Sequence, residues 1–174
     1  MSEPRAVSPA HVILIGLPGA GKSSHGRIVA RHCGRPFIDL DRRVALRAGR
    51  SIPQLFREVG EEGFRTIERE ATAALADEPP SIVAPGGGWM MDPGNVALVK
   101  PGATIIWLQV SPLLAVRRMG ARVRSRPLLR TVDPVAALQT LLEARAPRYA
   151  TADTAIDTEA LDWQGVAAAI LARF

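Results

Sequence analysis

Lys22 and Ser23 close the pattern Gly16-x4-Gly21-Lys22-Ser23, and these two side chains at this spacing suit one kind of chemistry. A lysine ammonium placed here reaches the β- and γ-phosphates of a nucleoside triphosphate, and the serine hydroxyl can ligate Mg²⁺. The glycines let the backbone curl into a nest whose N–H groups face phosphate oxygens, and a following helix adds its positive N-terminal end. The apolar run Val12-Ile13-Leu14-Ile15 just ahead has the character of a buried strand. Glycine-rich strand-to-helix turns also arise for packing alone. The full spacing behind such a strand favours a phosphate cradle.

Four further features could do chemistry beside it. Asp39 and Asp41 close the second apolar run, and on an extended segment two acids at this spacing point the same way. One could support Mg²⁺ through water while the other orients a substrate hydroxyl; equally, Asp41 could simply cap the helical pattern that follows. Arg65 and Glu68 share a helix face at i, i+3, either as a surface ion pair or as an arginine held ready for an anion. Gly86-Gly87-Gly88 follows the third apolar run, and three successive glycines usually mark a close backbone approach. Arg126 in Arg-Pro-Leu-Leu and Arg145 in Arg-Ala-Pro-Arg-Tyr would, each alone, be ordinary exposed arginines.

These residues must be positioned by elements that the hydrophobic pattern predicts. Apolar runs at 12–16, 36–39, 81–84, 104–109 and, more weakly, 153–157 read as strands. Helical patterns fill 22–33, 53–77 with an interruption near Gly60 and Gly63, 112–120, 133–148 and 159–173. Ser111-Pro112 and Asp133-Pro134 are helix starts. The alternation implies a three-layer α/β sandwich, whose ligands gather at the carboxyl ends of the strands. The segment 120–131, rich in arginine between Gly120 and Pro127, reads as an exposed excursion and a candidate lid.

Composition bounds the rest. The chain has 174 residues, 47% hydrophobic and 22% charged, which suits one globular domain. No apolar run reaches the ~20 residues of a membrane span, and the N-terminal residues lack the apolar core of a signal peptide. One cysteine, Cys33, rules out an internal disulfide, and a cytoplasmic location is expected. The net charge is +5, with the positive charge nearly all arginine, since only Lys22 and Lys100 are lysines. Six arginines (117, 118, 122, 124, 126 and 130) crowd one segment, where guanidinium groups suit a polyphosphate. No nucleic-acid-binding module is visible.

Taken in order, these motifs resemble the shikimate kinases, a family of the nucleoside-monophosphate-kinase-like branch of the phosphate-loop fold. The resemblance covers roughly 12–157 and implies a five-stranded parallel sheet of order 2-3-1-4-5. It implies transfer of the γ-phosphoryl of ATP to the 3-hydroxyl of shikimate, on the route to chorismate and the aromatic amino acids. On that resemblance Lys22, Asp41 and Arg126 are catalytic, with Arg126 swinging in on a lid at about 118–131. Gly19, Ala20, Gly21, Lys22, Ser23, Ser24, Arg118 and Arg126 would contact ATP, and Ser23 and Asp39 would hold Mg²⁺. Asp41, Arg65, Glu68, Gly86, Gly87, Gly88 and Arg145 would bind shikimate in a region around 40–70, with Phe56 and Phe64 as walls. The implied enzyme is a single kinase domain over 1–174, monomeric, with no nucleic-acid or membrane partner.

Two departures from the family pattern stand out. Trp89 follows the glycine triplet where a small residue is usual, and it would reshape the acceptor pocket if it pointed inward. Thr158-Glu159-Ala160 lacks the basic residue that some relatives place near adenine. A kinase of another small acid, such as a gluconate-type acceptor, and a non-catalytic sensor are the competing readings.

Overall fold

The computed structural model describes residues 10–100 and 102–173. Five parallel strands form one sheet: β1 (His11–Ile15), β2 (Phe37–Asp39), β3 (Ile82–Ala84), β4 (Ala103–Gln109) and β5 (Thr154–Asp157), in the order β2-β3-β1-β4-β5. All five residues of central β1 are buried, as expected of a parallel strand covered on both faces. Its register sets Val12 against Ile82 on one side and against Thr104 on the other. The outer pair β4–β5 aligns Gln109 with Asp157, so the carboxyl ends of these strands lie level. The fifth strand, the weakest in the sequence, is present.

Among the described residues seven α-helices surround the sheet: α1 (Lys22–Cys33), α2 (Leu40–Ala48), α3 (Ile52–Ala73), α4 (Pro93–Val99), α5 (Pro112–Met119), α6 (Pro134–Tyr149) and α7 (Trp163–Leu171). Their starts follow local chemistry. Ser111, Asp133 and Asp162 each accept a backbone N–H in the first turn of α5, α6 and α7, which supplies partners to otherwise unpaired helix donors. Gly60 breaks α3 with φ 70°, as the glycine pattern predicts, whereas Gly63 stays helical.

The differences from the predicted elements have local causes. α2 begins directly after β2, with Asp39 rather than Asp41 as its N-cap: Asp39 Oδ1 accepts from the backbone N of Arg42. Asp41 is therefore in the first helical turn, and the period-two argument that paired it with Asp39 does not apply. α4 escaped the hydrophobic pattern because it is only seven residues long, started by Asp92 and Pro93. α7 starts at Trp163 instead of 159, since Asp162 caps it. None of the described helices is long and apolar enough to cross a membrane.

Candidate active site

The phosphate loop joins β1 to α1 at the carboxyl edge of the sheet. Gly21 sits at the helix N-cap with φ 88°, and a Cβ there would lie 2.7 Å from the His25 ring, so both conformation and space call for glycine. Lys22 Nζ donates to Gly16 O at 2.8 Å and Leu17 O at 3.0 Å, folding back over the loop it terminates. Burial lowers its pKa to about 8; Asp41 pulls the other way, while Arg126 and Arg145 add to the lowering. With Asp39, which also raises it, four charged groups from β2, α2, α6 and the 120–131 segment act on one ammonium.

Ser23 Oγ donates to Asp39 Oδ2 at 3.3 Å, bringing α1 and the end of β2 together. Two oxygen ligands from adjacent elements form a hard donor set of the kind that suits Mg²⁺, which takes one or two protein groups and fills its shell with phosphate and water. The pair fits the ion. Among the described residues no group of three or more His, Cys, Asp or Glu side chains could hold a metal.

The glycine triplet is where the remaining candidates meet. A Cβ at Gly86 would lie 2.7 Å from Asp41 Oδ1, one at Gly87 2.7 Å from Arg145 Nη1, and one at Gly88 2.7 Å from Arg65 Nη2. Side chains from α2, α6 and α3 therefore press against three successive glycines, at distances that any larger residue would obstruct. Asp41 has its pKa raised, by burial first and by Asp39 next, with Lys22, Arg126 and Arg65 opposing. Arg65 Nη1 donates to Glu68 Oε2 at 2.8 Å, and its guanidinium also reaches Glu61 at 3.3 Å. Glu68 is itself buried, and burial raises its pKa in spite of Arg65.

Several placements bear on single residues. Arg126 is exposed, yet its charge acts on both Lys22 and Asp41. Arg118 donates to Thr158 Oγ1 at 2.7 Å and to Thr158 O at 2.6 Å. The basic group that the 158–160 loop lacks in sequence thus comes to it from α5. Phe56 and Phe64 stack with centroids 4.4 Å apart, Phe64 buried and Phe56 exposed. Trp89 does not enter the acceptor side: its indole is fully buried and donates to Thr72 Oγ1 at 2.9 Å. Sequence reasoning missed Tyr149 as a contributor. Its hydroxyl donates to Gly87 O at 2.6 Å, tying α6 to the triplet beside Arg145. The motif Arg145-Ala-Pro-Arg-Tyr149 held that signal, one helical turn from Arg145.

The sequence model of the shikimate kinase family matches residues 18–174, nearly the whole chain. The chain belongs to that family. It is 45% identical over 147 residues to the shikimate kinase of Caulobacter vibrioides, an alignment covering 84% of this chain and 73% of the relative. It is 40% identical to that of Moorella thermoacetica, over 91% of each chain. Among solved structures, shikimate kinase from Acinetobacter baumannii in complex with shikimate superposes with a TM-score of 0.86. The identity there is 32%, over 95% of this chain and 92% of the other. This chain is accordingly an enzyme, a phosphoryl-transferring kinase of the shikimate kinase family on the phosphate-loop α/β fold, using ATP and acting in aromatic amino acid biosynthesis.

Proposed function

We propose that this kinase phosphorylates the 3-hydroxyl of shikimate in one pocket, with its phosphate-loop side and its triplet side facing each other. The observation that carries the reading is the convergence of Asp41, Arg145 and Arg65 on Gly86, Gly87 and Gly88. A ring carboxylate calls for guanidinium groups, and Arg65 and Arg145 supply two beside a backbone that offers its own polar atoms.

Each residue then has a task. The backbone from Gly19 through Ala20 and Gly21, with Ser24, cradles the phosphates. Lys22 leaves its loop carbonyls and binds the β- and γ-phosphates, neutralising charge as the phosphoryl departs. Ser23 and Asp39 would hold Mg²⁺, which would supply further positive charge to the phosphate oxygens. Asp41 orients the attacking hydroxyl and accepts its proton at the carboxylate. Its raised pKa suits that task, because a base works best when its own pKa approaches the working pH. Glu68 fixes Arg65, Phe56 and Phe64 wall the acceptor, and Arg118 lies near the adenine. Arg126 closes with the 118–131 lid onto the moving phosphoryl, and closure excludes the water that would otherwise hydrolyse ATP. The enzyme acts as a cytoplasmic monomer, one kinase domain with its acceptor region at 40–70.

A coupled assay of ADP release, run with shikimate and with a panel of other hydroxy acids, tests the reading together with two variants. Asp41→Asn and Arg65→Ala should lose transfer while nucleotide binding persists. Robust turnover in both, or equal rates with a non-carboxylate polyol, would overturn it.

A further inference from the structure

The residue that departs from the family pattern is part of a buried polar network behind the acceptor side. Trp89, Thr72 and Asn95 are all fully buried, and Glu68 is 1% exposed. Thr72 Oγ1 uses both of its functions: it accepts from Trp89 Nε1 at 2.9 Å and donates to Glu68 O at 2.8 Å, one turn back along α3. Asn95 Nδ2, on α4, donates to Trp89 O at 3.1 Å and lies 3.5 Å from Glu68 Oε2. That carboxylate is the one that holds Arg65. Trp89 is also the next residue after Gly88, whose open face lies against Arg65 Nη2, and its backbone N donates to Gly86 O at 3.1 Å. Both ends of the contact between Arg65 and the triplet are thus anchored to the same three side chains.

We propose that Trp89, Thr72 and Asn95 are positioning residues for acceptor binding, acting through Arg65. They lock the glycine triplet to the Glu68 turn of α3 and so fix how Arg65 is seated against Gly88, which sets where its guanidinium meets a substrate carboxylate. The proposal rests on the reading of Arg65 as the carboxylate ligand. A large indole is what this arrangement needs, since it spans from the triplet to α3 and places one donor at its far edge. Buried hydrogen bonds hold what they connect in register, and loss of one partner leaves another buried group unpaired; Asn95 contributes through its Nδ2 donor alone, its Oδ1 being buried without a partner. The ATP side shares none of these hydrogen bonds.

The test uses the full chain with Thr72→Val, Thr72→Ser and Trp89→Phe, each also combined with Arg65→Ala. Thr72→Val and Trp89→Phe should raise the shikimate KM by about 3- to 10-fold, the size of one lost buried hydrogen bond. The KM for ATP should stay within about twofold. Thr72→Ser, which keeps the hydroxyl, should restore the wild-type shikimate KM. In the Arg65→Ala background shikimate affinity, read by calorimetry, should show no further loss, because the effect passes through Arg65. Thermal unfolding identifies a variant that fails to fold; Trp89→Phe, which keeps an aromatic ring in the core, then decides the matter. Unchanged shikimate KM in both variants, a parallel rise in the KM for ATP, or an undiminished loss in the Arg65→Ala background would overturn the proposal. If Arg65→Ala by itself leaves shikimate affinity intact, the reading of Arg65 falls and takes this proposal with it. If Arg65→Ala weakens shikimate and the Thr72 and Trp89 variants do not, only this proposal falls.

Discussion

At the level of single residues, the site is built from charges held where solvent would normally relieve them. Lys22 is the clearest case: burial brings its pKa to about 8, so the free enzyme sheds that proton far below the usual lysine range. An unfolded chain would hold it to about 10.5, so folding stability should rise with pH across that interval as the buried ammonium is neutralised. Polyphosphate binding reverses the preference, since it favours the charged form. Calorimetry of an ATP analogue at pH 9, in buffers of different ionisation enthalpy, should show net proton uptake, absent in Lys22→Met. ATP affinity should fall as pH is raised through 8. Glu68 presents the opposite sign. Its pKa is raised chiefly by burial, so its charged form costs stability above the ordinary carboxylate range. Glu68→Gln should leave thermal stability at pH 7 unchanged or higher, while the shikimate KM rises because Arg65 loses its anionic partner. A fall in melting temperature with unchanged KM would contradict both halves.

At the level of elements, the triplet loop depends on the absence of side chains. Gly88→Ala would put a methyl 2.7 Å from Arg65 Nη2. The obstacle is the end of a flexible side chain, so the fold should survive while Arg65 is displaced. A displacement of about 1 Å in a positioned group can reduce turnover by up to ~10²-fold. We expect kcat/KM for shikimate to fall at least tenfold by that measure, with circular dichroism and ATP affinity unchanged. The phosphate loop and this triplet were legible in the sequence because glycine spacing is a local signal. Asp39 and Asp41 were legible as acids near the end of a strand, yet not as cap and first-turn residue, because element boundaries depend on a competition between strand and helix hydrogen bonding. Asn95 and Thr72 left no such trace: each is a common polar residue whose role comes from packing between elements distant in the chain. Trp89 could be marked as unusual, but its direction depends on the space that α3 and α4 leave open.

At the level of the whole molecule, β1 and the phosphate loop supply the rigid centre, and the arginine-rich stretch from Gly120 to Arg130 is the part exposed enough to move. Its two short 3₁₀ turns, Gly120–Ser125 and Pro127–Leu129, are anchored inward by buried Val123 and Leu129. Arg122, Arg124 and Arg130 remain exposed. Trypsin should therefore cut the free enzyme here first, and an ATP analogue with shikimate should slow that cleavage markedly. Cutting at the same rate with both ligands present would argue against closure. The Arg118–Thr158 tether bounds any such movement. Since its guanidinium grips the backbone and hydroxyl of the residue following β5, the last turn of α5 is pinned to the outermost strand. Gly120, with φ 52°, follows that turn directly, and nothing lies within 4 Å of the position a Cβ would take there. The arginine-rich stretch is thereby moored to the far rim of the sheet, and Arg118→Met, which cuts that mooring, should make trypsin cleavage between Arg122 and Arg130 faster in the free enzyme.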